Sequence, residues 1–162
     1  MATAYLHNHK DFPDLLRILE EETGILPGLI EKDYWIMHVL HGLKQQGFNF
    51  ELQGGTSLSN GYKIIDRFSE DIDIHITPPA ALGVEENPAK TKDKHIESRK
   101  NFYDWLAAEI EIDGIVAINR DTALDDKDYY RSGGIRLLYE SKRTAAEGVQ
   151  EGILLEAGRE NL

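Results

Sequence analysis

The chain has no cysteine. That excludes disulfide staples, thiolate zinc sites, iron–sulfur clusters and a thiol nucleophile, and it leaves oxygen and nitrogen groups to carry any chemistry. It also fits a reducing compartment. Long apolar runs are missing: nothing approaches the roughly 20 residues that cross a bilayer, and residues 1–12 have no basic stretch leading into an apolar one. A soluble, cytoplasmic chain with no membrane partner is the expectation. Positive charge is scarce, with 18 Lys and Arg against 29 Asp and Glu and a formal charge of −11. A broad duplex-binding surface needs many cations to displace counterions, so it is excluded, whereas a local basic pocket is not.

What is present is an ordinary globular make-up, 162 residues with 41% apolar, enough for one domain that buries roughly 70% of its unfolded surface without a staple. Residues 11–22 place Phe12, Leu15, Leu16 and Leu19 at helical spacing, ended by Thr23-Gly24. A second helix starts at Pro27, carries Ile30, Tyr34, Met37, His38 and Leu40, and stops at Gly47. Residues 48–52 alternate apolar and polar as a strand does.

Gly54-Gly55-Thr56-Ser57 breaks that strand, and residues 58–65 form a short helix capped by Thr56 or Ser57. Residues 69–77 read S-E-D-I-D-I-H-I-T, so Ile72, Ile74 and Ile76 face one way and Asp71, Asp73 and His75 the other; Pro78-Pro79 closes the strand. Residues 78–94 have the composition of a mobile loop. A long helix over 91–111 follows, with Ile96, Phe102, Tyr103, Leu106 and Ile110 as its buried stripe, then strands near 114–118, 134–139 and 152–155.

Asp71 and Asp73 project from one face about 7 Å apart along the strand. Two like charges held together are tolerated when water screens them or a cation sits between them, and Mg²⁺ takes such hard carboxylate oxygens together with phosphates and water. A bare Asp-x-Asp is more often a solvated strand face, and a Gly-Gly pair alone is more often a tight turn. Their combination is more telling. A glycine turn lets backbone approach a phosphate, the following helix points free N–H groups at it, and Thr56 and Ser57 add hydroxyls. An anion cradle beside a divalent-metal site is what phosphoryl or nucleotidyl transfer requires.

Gly54-Gly55-Thr56-Ser57-Leu58-Ser59, then Arg67-Phe68-Ser69-Glu70-Asp71-Ile72-Asp73-Ile74, and the earlier Glu31-Lys32-Asp33-Tyr34-Trp35-Ile36, resemble the AbiEii-type nucleotidyltransferases, the toxin half of type IV toxin–antitoxin and phage-abortive systems. The resemblance runs over residues 31–73 and more loosely to 156. It implies an α+β fold, a DNA polymerase β-like nucleotidyltransferase core with helices packed on a mixed sheet. The whole of 1–162 is then one nucleotidyltransferase domain, with a helical part over about 10–47 and a catalytic sheet core over about 48–157. It also implies Mg²⁺ or Mn²⁺ as cofactor, a nucleoside triphosphate as substrate, an RNA (such as tRNA) or a protein hydroxyl as acceptor, and an antitoxin as partner. The oligomeric state is left open.

The resemblance further implies a third carboxylate on a later strand. Glu156, interrupting the apolar Ile153-Leu154-Leu155, is the first choice for it and Glu140 the second; without the family Glu156 reads equally as a strand-end surface residue. Catalytic and metal-ligating roles thus fall to Asp71, Asp73 and Glu156, and nucleotide binding to Gly54, Gly55, Thr56, Ser57, Lys63, Arg67 and Ser69. Glu31, Lys32 and Asp33 are candidate supports from the second helix, with a solvated helix face as the plainer reading. Arg67 pairs with a phosphate or with Asp66 or Glu70, and Ser69 donates to phosphate or merely starts the strand. His75 continues the Asp71–Asp73 face and is more often a bystander.

Two departures stand out. Similar proteins often carry a lysine after Thr-Ser-Leu-Ser, where this chain has Asn60; Lys63, three residues on and on nearly the same helix face, is expected to take over its charge. The usual helical C-terminal region is expected to be absent. Both leave room for a non-catalytic nucleotide-binding or partner-binding module on the same fold, and a more distant alternative is an unrelated acidic scaffold. His7-Asn8-His9 resembles a metal tract superficially and reads as a disordered terminus. Tyr34, Trp35, Phe102, Tyr103 and Trp105 read as core.

Overall fold

The computed structural model describes residues 5–52, 71–87, 89–143 and 149–158. Helix α1 (Phe12–Thr23) carries Pro13 in its first turn and ends on Gly24, whose φ of 73° is the left-handed conformation that closes a helix cheaply only in glycine. Helix α2 (Pro27–Gln45) again opens on proline and buries Trp35, Ile36, Val39 and Leu43. Short strand β1 (Phe50–Leu52) and strand β2 (Asp71–Ile76) follow, then helix α3 (Asp93–Glu109), and strands β3 (Ile115–Asp121), β4 (Ser132–Glu140) and β5 (Gln150–Gly158). Every one of these elements matches a periodicity in the sequence, and the three later strands extend past their apolar centres at both or one end.

The sheet order is β1-β2-β5-β4-β3, with β2 and β5 parallel and every other pair antiparallel. The last strand is therefore inserted in the middle. Alternation along the strands sorts the sheet into two faces. Ile72, Ile74, Ile76, Ile135, Leu137, Tyr139, Ile153, Leu155 and Ala157 are buried against Trp35, Val39 and Leu43 of α2 and Phe102, Tyr103 and Leu106 of α3. Truncating any fully buried leucine here, such as Leu106 or Leu137, costs roughly 2–5 kcal/mol. The aromatic set is core as expected, with Trp35, Phe102 and Tyr103 buried and Tyr34 and Trp105 packed at its margin. On the opposite face Asp73, His75, Arg136, Leu138, Leu154 and Glu156 are half exposed.

Two expectations are corrected. The N-terminal segment is not a loose end: residues Leu6–Asn8 form a 3-10 turn and His7 is buried. The Tyr34 hydroxyl accepts the His7 backbone N–H at 3.1 Å, so its single proton points to His7 Nδ1 at 2.6 Å, and the other ring nitrogen donates to Asp113 Oδ2 at 2.7 Å. The ring lies under Gly114, where a Cβ would stand 2.6 Å from Trp35 and 2.7 Å from His7. This neutral histidine is a hydrogen-bonded tie, and burial lowers its pKa below the usual value, more than Asp113 raises it. The 78–94 segment is likewise tied down. Buried Arg99 of α3 donates to the carbonyls of Glu85, Asn87 and Lys90, and also of Tyr129. Arg99 stands among Glu97, Ser98, Lys100 and Asn101 and so looks like a solvated helix position, and the partners of His7 come from distant positions, which is why neither tie was legible.

Candidate functional site

The Asp-Ile-Asp-Ile-His-Ile alternation makes β2 a strand with an apolar side for the helices and a polar side away from them. On the polar side the register is the informative quantity. Asp73 pairs with Glu156 of the parallel neighbour β5, and Glu156 pairs in turn with Gly134 of β4. Neighbouring strands lie about 4.8 Å apart and paired side chains leave the sheet on the same side, so these carboxylates stand side by side. Asp71 occupies the same strand two residues earlier, paired with Leu154; its backbone is described and its side chain is not. Gly54, Gly55, Thr56, Ser57, Lys63, Arg67 and Ser69 lie outside the described residues. Among the described residues β1 ends at Leu52, paired with Ile74, and β2 begins at Asp71.

Glu140, the second choice for the third carboxylate, pairs with Gln150 at the far end of the β4–β5 ladder, six positions along β4 from the Glu156 partner Gly134. That is about 20 Å of strand, well away from Asp73. Glu31 is fully buried in a network of its own. Its carboxylate accepts from Ser141 Oγ and the Lys142 N–H, both at 2.7 Å, and from Trp35 Nε1 at 3.3 Å, and it pairs with Arg143, which also pairs with Glu151. This network holds α2 to the β4–β5 turn, on the helix side of the sheet and at the end remote from Glu156. Lys32 and Asp33 are half-buried on α2, and desolvation pushes the Asp33 carboxyl up to about 6.

Sequence reasoning missed Arg136. It lies on the same sheet face as Glu156 and is paired with Asp121 at 2.9 Å; the alternation Ile135-Arg136-Leu137 was the available signal. It also missed the loop before β4, where Asp125 receives Arg120 through two bonds of 2.8 and 2.7 Å and the Gly134 N–H at 3.0 Å.

The donor chemistry of the pair suits a hard dication, since Mg²⁺ and Mn²⁺ take carboxylate oxygen and keep further positions for water and phosphate. Among the described residues no group of three or more His, Asp or Glu could hold a metal ion, and the Asp71 carboxylate is outside that set.

A mixed five-stranded sheet with helices packed on one face, and aspartate and glutamate aligned on the other, is consistent with a nucleotidyltransferase-like α+β fold. The family model described as "Nucleotidyl transferase AbiEii toxin, Type IV TA system" matches residues 40–162, which include all five strands. The chain belongs to this family. No curated protein and no solved structure matches it at a significant level. Among the described residues no helix is long and apolar enough to cross a membrane.

Proposed function

We propose that the chain is a Mg²⁺- or Mn²⁺-dependent nucleotidyltransferase that moves a nucleoside monophosphate from a nucleoside triphosphate to an RNA or protein hydroxyl, acting as a cytoplasmic toxin restrained by an antitoxin in phage defence. The observation that carries this reading is the register of Asp73 against Glu156 on adjacent parallel strands. Asp71, Asp73 and Glu156 would hold the metal. When bound, it supplies charge neutralisation at the reacting phosphate and its leaving group.

The chain's own residues supply the positioning. Backbone N–H groups at Gly54 and Gly55 and the hydroxyls of Thr56 and Ser57 hold the β- and γ-phosphates, with Lys63 and Arg67 neutralising them. Ser69 donates to the same phosphates. The acceptor oxygen attacks the α-phosphorus, a new O–P bond forms, the bond to the β-phosphate oxygen breaks and pyrophosphate leaves. Glu156 takes the acceptor proton or completes the metal shell.

Turnover with α-labelled nucleotides tests this. The parent is expected to transfer label and Asp71→Asn with Asp73→Asn is expected not to; equal transfer by both would sink the mechanism. Asn60 supports a second reading, in which the fold binds nucleotide and a partner without catalysis. Calorimetry showing Mg²⁺-dependent nucleotide binding with no product after long incubation would favour it.

A further inference from the structure

Gly134 is the β4 residue paired with Glu156, and a Cβ on it would stand 2.8 Å from Leu124 Cβ and 2.5 Å from the Asp121 carbonyl oxygen. The glycine thus leaves its side-chain place to Leu124. Paired residues send their side chains to one side of a sheet, so Leu124 comes down on the carboxylate face. The neighbouring Gly133 looks the other way, where a Cβ would meet the Tyr103 ring of α3 at 2.6 Å. The Gly134 N–H is given to Asp125 at 3.0 Å, away from β5. Gly134 and Glu156 therefore form a non-hydrogen-bonded pair, in which Cβ positions lie about 5 Å apart. Leu124 is the side-chain neighbour of Glu156 on the flank away from Asp73.

The turn that carries Leu124 is pinned in place. Residues Thr122–Leu124 form a 3-10 turn, and the Asp125 N–H closes it on the Thr122 carbonyl at 3.2 Å. The buried Asp125 carboxylate takes two bonds from Arg120, at 2.8 and 2.7 Å, beside the one from Gly134. Arg120 also donates to the Gly134 carbonyl at 2.6 Å and to Asp104 at 2.9 Å. The Asp126 N–H then bonds the Ser132 carbonyl at 3.0 Å. Leu124 itself is half-buried and is not among the residues that build or flank the core between sheet and helices. Its apolar surface is set against the glutamate instead.

We propose that Leu124 is a specificity-determining residue: it shuts water out of one flank of Glu156, so that an acceptor hydroxyl and not water attacks the α-phosphorus. The inference rests on the transferase reading above, in which Glu156 stands at the entering oxygen. The two competing reactions differ only in that oxygen. An acceptor hydroxyl forms the new O–P bond, gives up its proton and releases pyrophosphate, whereas water in the same place yields free nucleoside monophosphate and pyrophosphate. A water molecule needs two or more polar partners as well as room, and on this flank Leu124 supplies neither. A hydroxyl borne on a larger acceptor brings carbon atoms of its own, which pack against the leucine and complete the exclusion of solvent.

The test follows α-labelled triphosphate with Mg²⁺ and counts label as free monophosphate or as acceptor adduct, with total RNA and total protein offered in turn. Leu124→Ala is expected to raise the free-monophosphate share of turnover on the order of tenfold. Leu124→Asn, similar in size but polar, should do the same, and Leu124→Met should restore most of the parent's partition. A second readout needs no turnover: relaxation of water by Mn²⁺ bound with a non-hydrolysable triphosphate should be stronger in Leu124→Ala than in the parent. Melting curves identify the variants that fold, and Leu124→Val takes the place of any that does not. An unchanged share in the folded variants overturns the inference, and so does a raised share with unchanged relaxation. If neither parent nor variants release pyrophosphate, the transferase reading falls and the inference falls with it.

Discussion

Glu31 and Glu156 are both glutamates that directly follow apolar residues, and the molecule treats them in opposite ways. Glu31 points into the core, where two N–H groups, a serine hydroxyl and the Arg143 guanidinium surround its carboxylate. Glu156 stands half exposed on the other side of the sheet, with another acid, Asp73, in the adjacent register position. A buried carboxylate saturated with donors holds two elements together. Two acids brought to adjacent register on a half-open face instead present hard oxygen donors of the kind a dication takes.

The sharpest way to break this contrast is to neutralise each side in turn. Asp73→Asn and Glu156→Gln should each lower label transfer on the order of a thousandfold, the equivalent of several kcal/mol of lost charge stabilisation. A variant that keeps full transfer would return Glu156 to the plain strand-end reading. Glu31→Gln should do the reverse, costing about 3 kcal/mol of stability and so roughly 6–12 °C of melting temperature, while enzyme kept folded at low temperature retains its kcat. Equal melting of variant and parent would show that Arg143 and Ser141 re-pair without it.

Two titrations sharpen the comparison at smaller amplitude. The raised Asp33 pKa, about 6 against 3.8, means that its folded-state penalty is absent below 3.8, grows as pH rises through 6 and is full above it. Asp33→Asn should therefore stabilise the protein at pH 7–8 by about 1 kcal/mol after allowance for solvent screening, and the gain should vanish near pH 4. His7 runs the other way. Its folded pKa is lowered from 6.5, so its contribution is whole above 6.5 and is lost as pH falls from 6.5 toward the folded value. Melting curves from pH 5 to 8 should show less acid sensitivity in His7→Gln than in the parent, from a lower starting stability.

Much of the fold was legible because its elements are locally consistent. Phe12 and Leu16, then Trp35 and Val39, repeat at helical spacing, and Ile72, Ile74 and Ile76 alternate; burial follows those periods closely. Strand order was not legible. Nothing in Ile153-Leu154-Leu155-Glu156 says that it slides between β2 and β4, so Glu156 could be chosen over Glu140 only by its resemblance to a pattern, and the ladder supplies the neighbour that periodicity cannot. Polar groups tied to distant partners were the least legible. Arg99, Arg120 and His7 look like surface groups in sequence because their partners, loop carbonyls and the carboxylates of Asp125 and Asp113, come from distant positions.

The central placement of β5 also governs when the molecule becomes what it is. Synthesis delivers β1, β2, β3 and β4 before the strand that must sit between β2 and β4 exists. Pairings between distant segments form late and slowly, so a nascent chain short of residues 150–158 has no carboxylate opposite Asp73. In a protein of a nucleotidyltransferase toxin family, the pairing of Asp73 with Glu156 is thus among the later features of this sheet to form during synthesis.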